Sequence, residues 1–174
     1  MTIRTFNNIT PTLGENVYID EQAAVIGDVH IGDECSVWPF TSIRGDVNKI
    51  RIGNRTNIQD NSTIHVSHDS DYLPGGAATI IGDDVTVGHQ VILHGCIIGN
   101  RCLIGMGSII MDKVTIEDDV IVGAGSLVTQ DRTLESGYLY IGRPAKRLRA
   151  LSEEEKEYLK YSAQHYVKLK NKYC

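Results

Sequence analysis

Aliphatic residues recur along this 174-residue chain at a step of six. The series runs Leu13, Ile19, Val25, Ile31, Val37 and Ile43, resumes at Ile52, Ile58 and Ile64, and again at Ile81, Val87 and Leu93. It then continues through Ile98, Ile104, Ile110, Ile116, Val122 and Val128. Four positions beyond most of these stands a small or β-branched residue, among them Ala23, Val29, Cys35, Thr41, Val47, Thr56, Ser62, Val85, Val91, Cys102 and Ser108. A six-residue period suits neither an amphipathic helix nor an alternating strand over such a length. It suits a β-solenoid in which each hexapeptide is a short strand plus a corner. The aliphatic points inward, the small residue fills the tapering interior, and Gly or Asn turns the corner. Three hexapeptides close a triangular coil of 18 residues (3 × 6), so the eighteen units predict six coils. A meander of hairpins would need paired turn signals every 8–12 residues or so, and the chain lacks them.

The solenoid is predicted over residues 1–143, and a helical segment over 144–174. Ser152 with Glu155 forms a capping box, and Glu153 and Glu154 suit a helix N-terminus. Leu159, Ala163, Tyr166, Leu169 and Tyr173 make one apolar stripe, predicted to cover a prism face or a neighbouring subunit. Lys168, Lys170 and Lys172 suit the C-terminal end of the helix dipole.

Three irregularities interrupt the period. Ile43 to Ile52 is a step of nine, Ile64 to Ile81 a step of seventeen, and Leu93 to Ile98 a step of five. Excursions in a solenoid sit at corners, where loops carry function. The longest is a loop at 67–78, and four of the six histidines fall between Ile43 and His94.

Stacking the coils sorts these residues into columns. Arg44, His65 and His94 each follow an inward aliphatic. They are separated by 21 and 29 residues, which is one coil plus the three-residue and eleven-residue excursions. Neighbours in this column are about 4.8 Å apart, the spacing of adjacent strands. Asp60 and His89, again 29 apart, form a second column with Gln59 beside it. His89 lies one prism side from His94, roughly 16 Å of extended chain. A metal–imidazole bond is about 2.0 Å, so no ion bridges the two columns within one chain. A cyclic homotrimer resolves this by setting the first column of one subunit against the second column of the next. His65 and His94 then meet His89 across the boundary, and Arg44 faces Asp60. Three neutral imidazoles with an open fourth position are a catalytic zinc set; iron or cobalt also suits imidazole. The plainer alternative is that these histidines are corner residues making ordinary hydrogen bonds.

Composition narrows the chemistry further. A net charge of −5 and a pI near 5.6 leave no basic footprint, so nucleic acid is not an expected partner. The N-terminus has no long apolar run; neither a signal peptide nor a membrane span is expected, and the location is read as cytoplasmic. Cys35, Cys96, Cys102 and Cys174 show no CxxC spacing, so neither a cysteine metal site nor disulfides are called for. Cys96 is read as an apolar filler, Met106 and Met111 as core or edge fillers, and Trp38-Pro39-Phe40 as packing or trimer contact.

The hexapeptide repeats, Arg44-Gly45-Asp46, Gln59-Asp60-Asn61, His65 and the His89–His94 pair resemble the γ-class carbonic anhydrase family. The segments TNIQD, HV-H, DVTVGH, LHGC, GMGS, GAGSLV and SGYLYIGRPAK look like its YrdA/PaaY-type bacterial branch. The resemblance covers nearly the whole chain and implies a left-handed coil. It implies zinc on His65 and His94 of one subunit and His89 of the next, with metal-bound hydroxide attacking carbon dioxide to give bicarbonate. It further implies an intersubunit Arg44–Asp60 ion pair, Asp46 supporting Arg44 or the metal ligands, Gln59 orienting solvent, and Tyr140 approaching the site. The chain departs from the family's best-known members, which carry a glutamate after the Asp46 position and another in an acidic loop. Here stand Val47 and Ser67-His68-Asp69-Ser70-Asp71. His68 is therefore the candidate proton shuttle. Three other functions stay open: a metal-dependent acyl-CoA thioesterase, a hexapeptide acyltransferase, and a metal-stabilised trimer with little turnover.

Overall fold

A computed structural model describes residues 2–173; Cys174 lies outside the described residues. The chain winds into a left-handed parallel β-helix with three faces, closed by one C-terminal helix. The first face stacks Ile3–Arg4, the leading halves of Ala24–Ile31 and Ser42–Ile52, then Thr63–His65, Ile92–His94, Ile109–Ile110 and Leu127–Val128. The second stacks Thr12–Leu13, the trailing halves of the same two long strands, then Thr79–Ile81, Ile97–Ile98, Thr115–Ile116 and Thr133–Leu134. The third runs from Tyr18–Ile19 through Ser36–Val37, Asn57–Ile58, Thr86–Val87, Leu103–Ile104 and Ile121–Val122 to Tyr138–Gly142. Each face thus carries seven parallel rungs among the described residues, one more than the six predicted. Ile3, Leu134 and Tyr140 supply the additional positions.

The inward residues behave as the period demands. Val25, Ile43, Ile64, Leu93 and Ile110 line the first face with no exposed surface, and Cys35, Cys96 and Cys102 fill the core between rungs. Burying each such aliphatic stabilises by about 1.5–3 kcal/mol. One corner is held by a ladder of side-chain caps. Glu15 N–H donates to Asp33, Asp33 to Asn54, Asn54 to Asp83, Asp83 to Asn100 and Asn100 to Asp118, at 2.8–2.9 Å. Asp33, Asn54, Asp83 and Asn100 each follow a turn glycine, and Asp118 follows Glu117 at the corresponding place.

Several sequence readings change. Val47, expected to face inward, is 46% exposed; Ile50 takes its place beside Val29 because the three-residue excursion resets the register. Met106 is 59% exposed rather than a filler. Phe40 is 60% exposed at a positive-φ corner, whereas Trp38 is buried against Tyr18, Tyr166 and Tyr173. Residues Ala145–Ala150, assigned to the helical segment, instead form an antiparallel strand on Tyr138–Gly142.

The helix spans Glu153–Lys170 and begins with the predicted Ser152–Glu155 capping box. Leu159, Ser162 and Ala163 bury against the third face, where Ser162 Oγ is 2.9 Å from Thr86 Oγ1. Lys170, read as one of three lysines suited to the helix C-terminus, is fully buried and ion-paired to Glu34 at 2.8 Å. Among the described residues no helix is long and apolar enough to cross a membrane.

Candidate metal centre

His65 and His94 close the strands Thr63–His65 and Ile92–His94, which pair in register so that the two rings stand on adjacent rungs. Arg44 occupies the next rung of the same column. His65 Nδ1 faces His94 Nε2 across 3.2 Å. The remaining ring nitrogens each meet a carboxylate, His65 Nε2 with Asp46 Oδ1 at 2.9 Å and His94 Nδ1 with Asp112 Oδ1 at 2.7 Å.

Both features suit a metal. Two imidazole bonds of about 2.0–2.1 Å at a tetrahedral angle separate their nitrogens by roughly 3.3 Å, close to the separation seen here. A carboxylate on the far nitrogen fixes the ring and raises the basicity of the near one. His65 and His94 could therefore hold one ion between them. Asp46 also accepts from Arg44 Nη1. Partial burial pushes the Asp46 carboxyl up, but the hydrogen bonds from His65 and Arg44 outweigh it and hold the group below its ordinary value.

The second column lies on the neighbouring corner. His89 Nδ1 is 2.9 Å from Asp60 Oδ2, and the ring is about half exposed. Gln59 is buried beside it, its amide nitrogen donating to Asn57 Oδ1 at 3.1 Å. Both line a groove of about 390 Å³ whose far wall is Tyr158, Ser162 and Tyr166 of the helix. Among the described residues no three His, Cys, Asp or Glu side chains of the one chain are arranged to hold a metal ion. Within the chain Arg44 pairs with Asp46, not with Asp60.

Two other candidates stand apart from the histidine pair. His68 is exposed on the loop, whose root is pinned by reciprocal backbone bonds between Ser67 and Ala77 and by Asn48 Nδ2 on the Ser67 carbonyl. Tyr140 is buried at the C-terminal end of the core, with its hydroxyl accepting from Glu135 N–H at 2.8 Å. It pairs with Val122, three rungs beyond Val87 on the face that carries His89. Three strand spacings amount to about 14 Å.

Asp112 was not among the residues read from the sequence, yet it touches His94. The signal that could have found it is the five-residue step from Leu93 to Ile98. It leaves the 93–98 corner one residue shorter than the corner stacked on it.

The profile of the family described as "Bacterial transferase hexapeptide (six repeats)" matches residues 10–45, 78–110 and 95–130. The unmatched stretch between the first two segments carries Asp46, Gln59, Asp60, His65 and His68, where the excursions break the period. "Protein YrdA" of Escherichia coli is 56% identical over 171 residues, spanning 98% of this chain and 93% of that protein. "Gamma carbonic anhydrase 2, mitochondrial" of Arabidopsis thaliana is 42% identical over 95% of this chain and 60% of its own length. A solved hexapeptide transferase family protein from Anaplasma phagocytophilum superposes with a TM-score of 0.92 at 41% identity, covering 99% of this chain and 98% of that one. "Carbonic anhydrase" of Geobacillus kaustophilus is 43% identical over 95% of this chain and 87% of its own length, and with the hexapeptide profile this places the chain in the γ-class carbonic anhydrase family of hexapeptide-repeat proteins.

Proposed function

We propose that this chain is a zinc-dependent γ-class carbonic anhydrase, hydrating carbon dioxide to bicarbonate and a proton in the cytoplasm, at sites between the subunits of a homotrimer. The observation that carries the reading is the imidazole pair. Two ring nitrogens sit 3.2 Å apart while their far nitrogens rest on separate carboxylates. Ordinary corner histidines have no need of such an arrangement. A zinc ion bound there would act as a Lewis acid that brings the pKa of water near 7; iron or cobalt would also suit the ligands.

The protein's own groups then divide the work. His65 and His94 are the ligands of one subunit, and His89 of the partner subunit is the third, presented toward solvent by its bond to Asp60. Asp46 and Asp112 hold the two rings. Asp46 also holds Arg44, whose guanidinium is partly exposed and available to Asp60 of the partner subunit. Gln59, fixed by Asn57, orients solvent beside His89. His68 carries the released proton to bulk water, imidazole being the side chain suited to proton transfer near neutrality.

Zinc content, sedimentation and stopped-flow carbon dioxide hydration test this together. About one zinc per subunit in a trimer is expected, lost in His89→Ala and His94→Ala. A monomer that binds zinc tightly would sink the interfacial arrangement. The likeness to a protein named as a transferase keeps acyl chemistry as the second reading. Acyl-CoA hydrolysis and acetyl transfer, run beside hydration on zinc- and iron-loaded protein, decide between them. Acyl turnover without hydration would overturn the carbonic anhydrase assignment.

A further inference from the structure

The one place where the period falls a residue short lies directly after the second histidine. Leu93 pairs with Ile110, seventeen residues on, whereas Ile98 pairs with Ile116, eighteen on. The corner His94-Gly95-Cys96 is therefore tighter than the corner Met111-Asp112-Lys113 stacked upon it. Gly95 takes φ +55°, receives Lys113 N–H on its carbonyl at 2.8 Å, and donates its own N–H to the His65 carbonyl at 3.2 Å. A Cβ at position 95 would collide with Asp112 Oδ1 and come within 2.7 Å of Ala77 Cβ. Only glycine leaves room for the Asp112 carboxylate to pass over this turn and reach His94 Nδ1 at 2.7 Å. Ser67, at the root of the 67–78 loop, sets the carboxylate from the other side, its Oγ lying 3.3 and 3.2 Å from the two oxygens.

We propose that Asp112 is a positioning residue for His94. By accepting the Nδ1 proton it fixes the tautomer whose Nε2 lone pair faces His65, and the shortened corner exists to bring it there. The inference rests on the metal reading given above, and it assigns a residue that the resemblance to the carbonic anhydrases does not supply. The rival role is purely structural: Asp112 would close a corner and tie down the loop root through Ser67.

Zinc affinity measured by competition with a chromogenic chelator separates the two roles. It is combined with thermal unfolding of the metal-free proteins and visible spectra of the cobalt-loaded ones. Loss of a carboxylate behind a ligating imidazole lowers metal affinity about 10–100-fold, and Asp112→Ala is expected to fall in that range. Its cobalt bands should shift. Asp112→Asn, which keeps an acceptor for Nδ1–H, should lose less, and Ser67→Ala should stay within about threefold of wild type. Full-strength zinc binding by Asp112→Ala, in a protein whose His94→Ala variant binds none, would overturn the inference and leave the metal reading standing. Absence of zinc binding by the wild type would overturn both. Should Asp112→Ala fail to fold, Asp112→Val, which likewise removes the acceptor, carries the test: a loss of about 10–100-fold supports positioning, and an unchanged affinity with unchanged cobalt bands refutes it.

Discussion

Removing either partner of the Lys170–Glu34 pair should have unequal effects, because the two groups are unequally buried. Lys170 has lost essentially all contact with water; its Nζ lies 2.8 Å from Glu34 Oε2 and 2.8 Å from Asn171 Oδ1. The Glu34 side chain keeps 32% of its surface and also accepts from Asn16 Nδ2 at 2.7 Å. Glu34→Gln preserves shape but strands a buried ammonium among amide oxygens. Breaking a buried pair costs about 3–5 kcal/mol, and water reaching the open side of Glu34 trims this to about 2–3 kcal/mol. Lys170→Met keeps most of the aliphatic stem and leaves a carboxylate that Asn16 and water still satisfy, for about 1 kcal/mol or less. At about 2–4 °C per kcal/mol for a chain of this size, Glu34→Gln should lower Tm by about 5–10 °C and Lys170→Met by less than about 4 °C. Circular dichroism melts give the ranking. Amide exchange over 153–170 shows whether the helix leaves separately, as one-dimensional stacking permits.

The same pair has a pH signature. The hydrogen bond from Lys170, seconded by that from Asn16, holds the Glu34 carboxyl below its ordinary value of 4.5. A depressed acid stabilises fully above that ordinary value and loses its contribution as pH falls through the lowered one. Helix protection in the wild type should therefore decline in acid below pH 4.5, and the gap between wild type and Glu34→Gln should close there. A Lys170→Met protein less stable than Glu34→Gln, or a gap that widens in acid, would refute the reasoning.

Three further outcomes are expected. Gly95→Ala forces a side chain into a left-handed turn and against Asp112, so it should cost at least about 2 kcal/mol of stability, read as a lowered Tm, and weaken zinc binding more than that loss explains. In Cys174→Ser protein, Cys35, Cys96 and Cys102, whose thiols burial pushes up to about 12, should react with Ellman's reagent only after denaturation; fast labelling of the native protein would contradict that burial. A strong chelator should lower the Tm of wild type by the equivalent of about 2.7 kcal/mol per hundredfold metal excess over Kd, and leave His94→Ala unmoved.

The repeat and the first column were legible in the sequence for a simple reason. Inward positions along the prism are filled by aliphatic side chains until Tyr140 on the last rung, so the period is written in Ile, Val and Leu. Because parallel rungs stack in register, counting residues between Arg44, His65 and His94 was equivalent to measuring along the prism axis. The same logic exposed the three breaks, but not what each one does. Val47 obeyed the spacing and still faced outward, because the excursion supplies Ile50 for the same slot. Lys170 sat where a helix dipole wants any cation, and only docking of the helix on the first coils brought Glu34 to it.

Asp112 shows the division most clearly. It is eighteen residues from His94 and, like Asp118, stands two places after an inward aliphatic, so its own phase does not mark it out and only the short step from Leu93 to Ile98 beneath it does. Local sequence determined the strands, the corners and the hexapeptide core, since each depends on residues within one coil. The tertiary fold decided which carboxylate stands behind which imidazole. That depends on how two successive corners of unequal length overlay, and on a glycine whose missing Cβ opens the path between them.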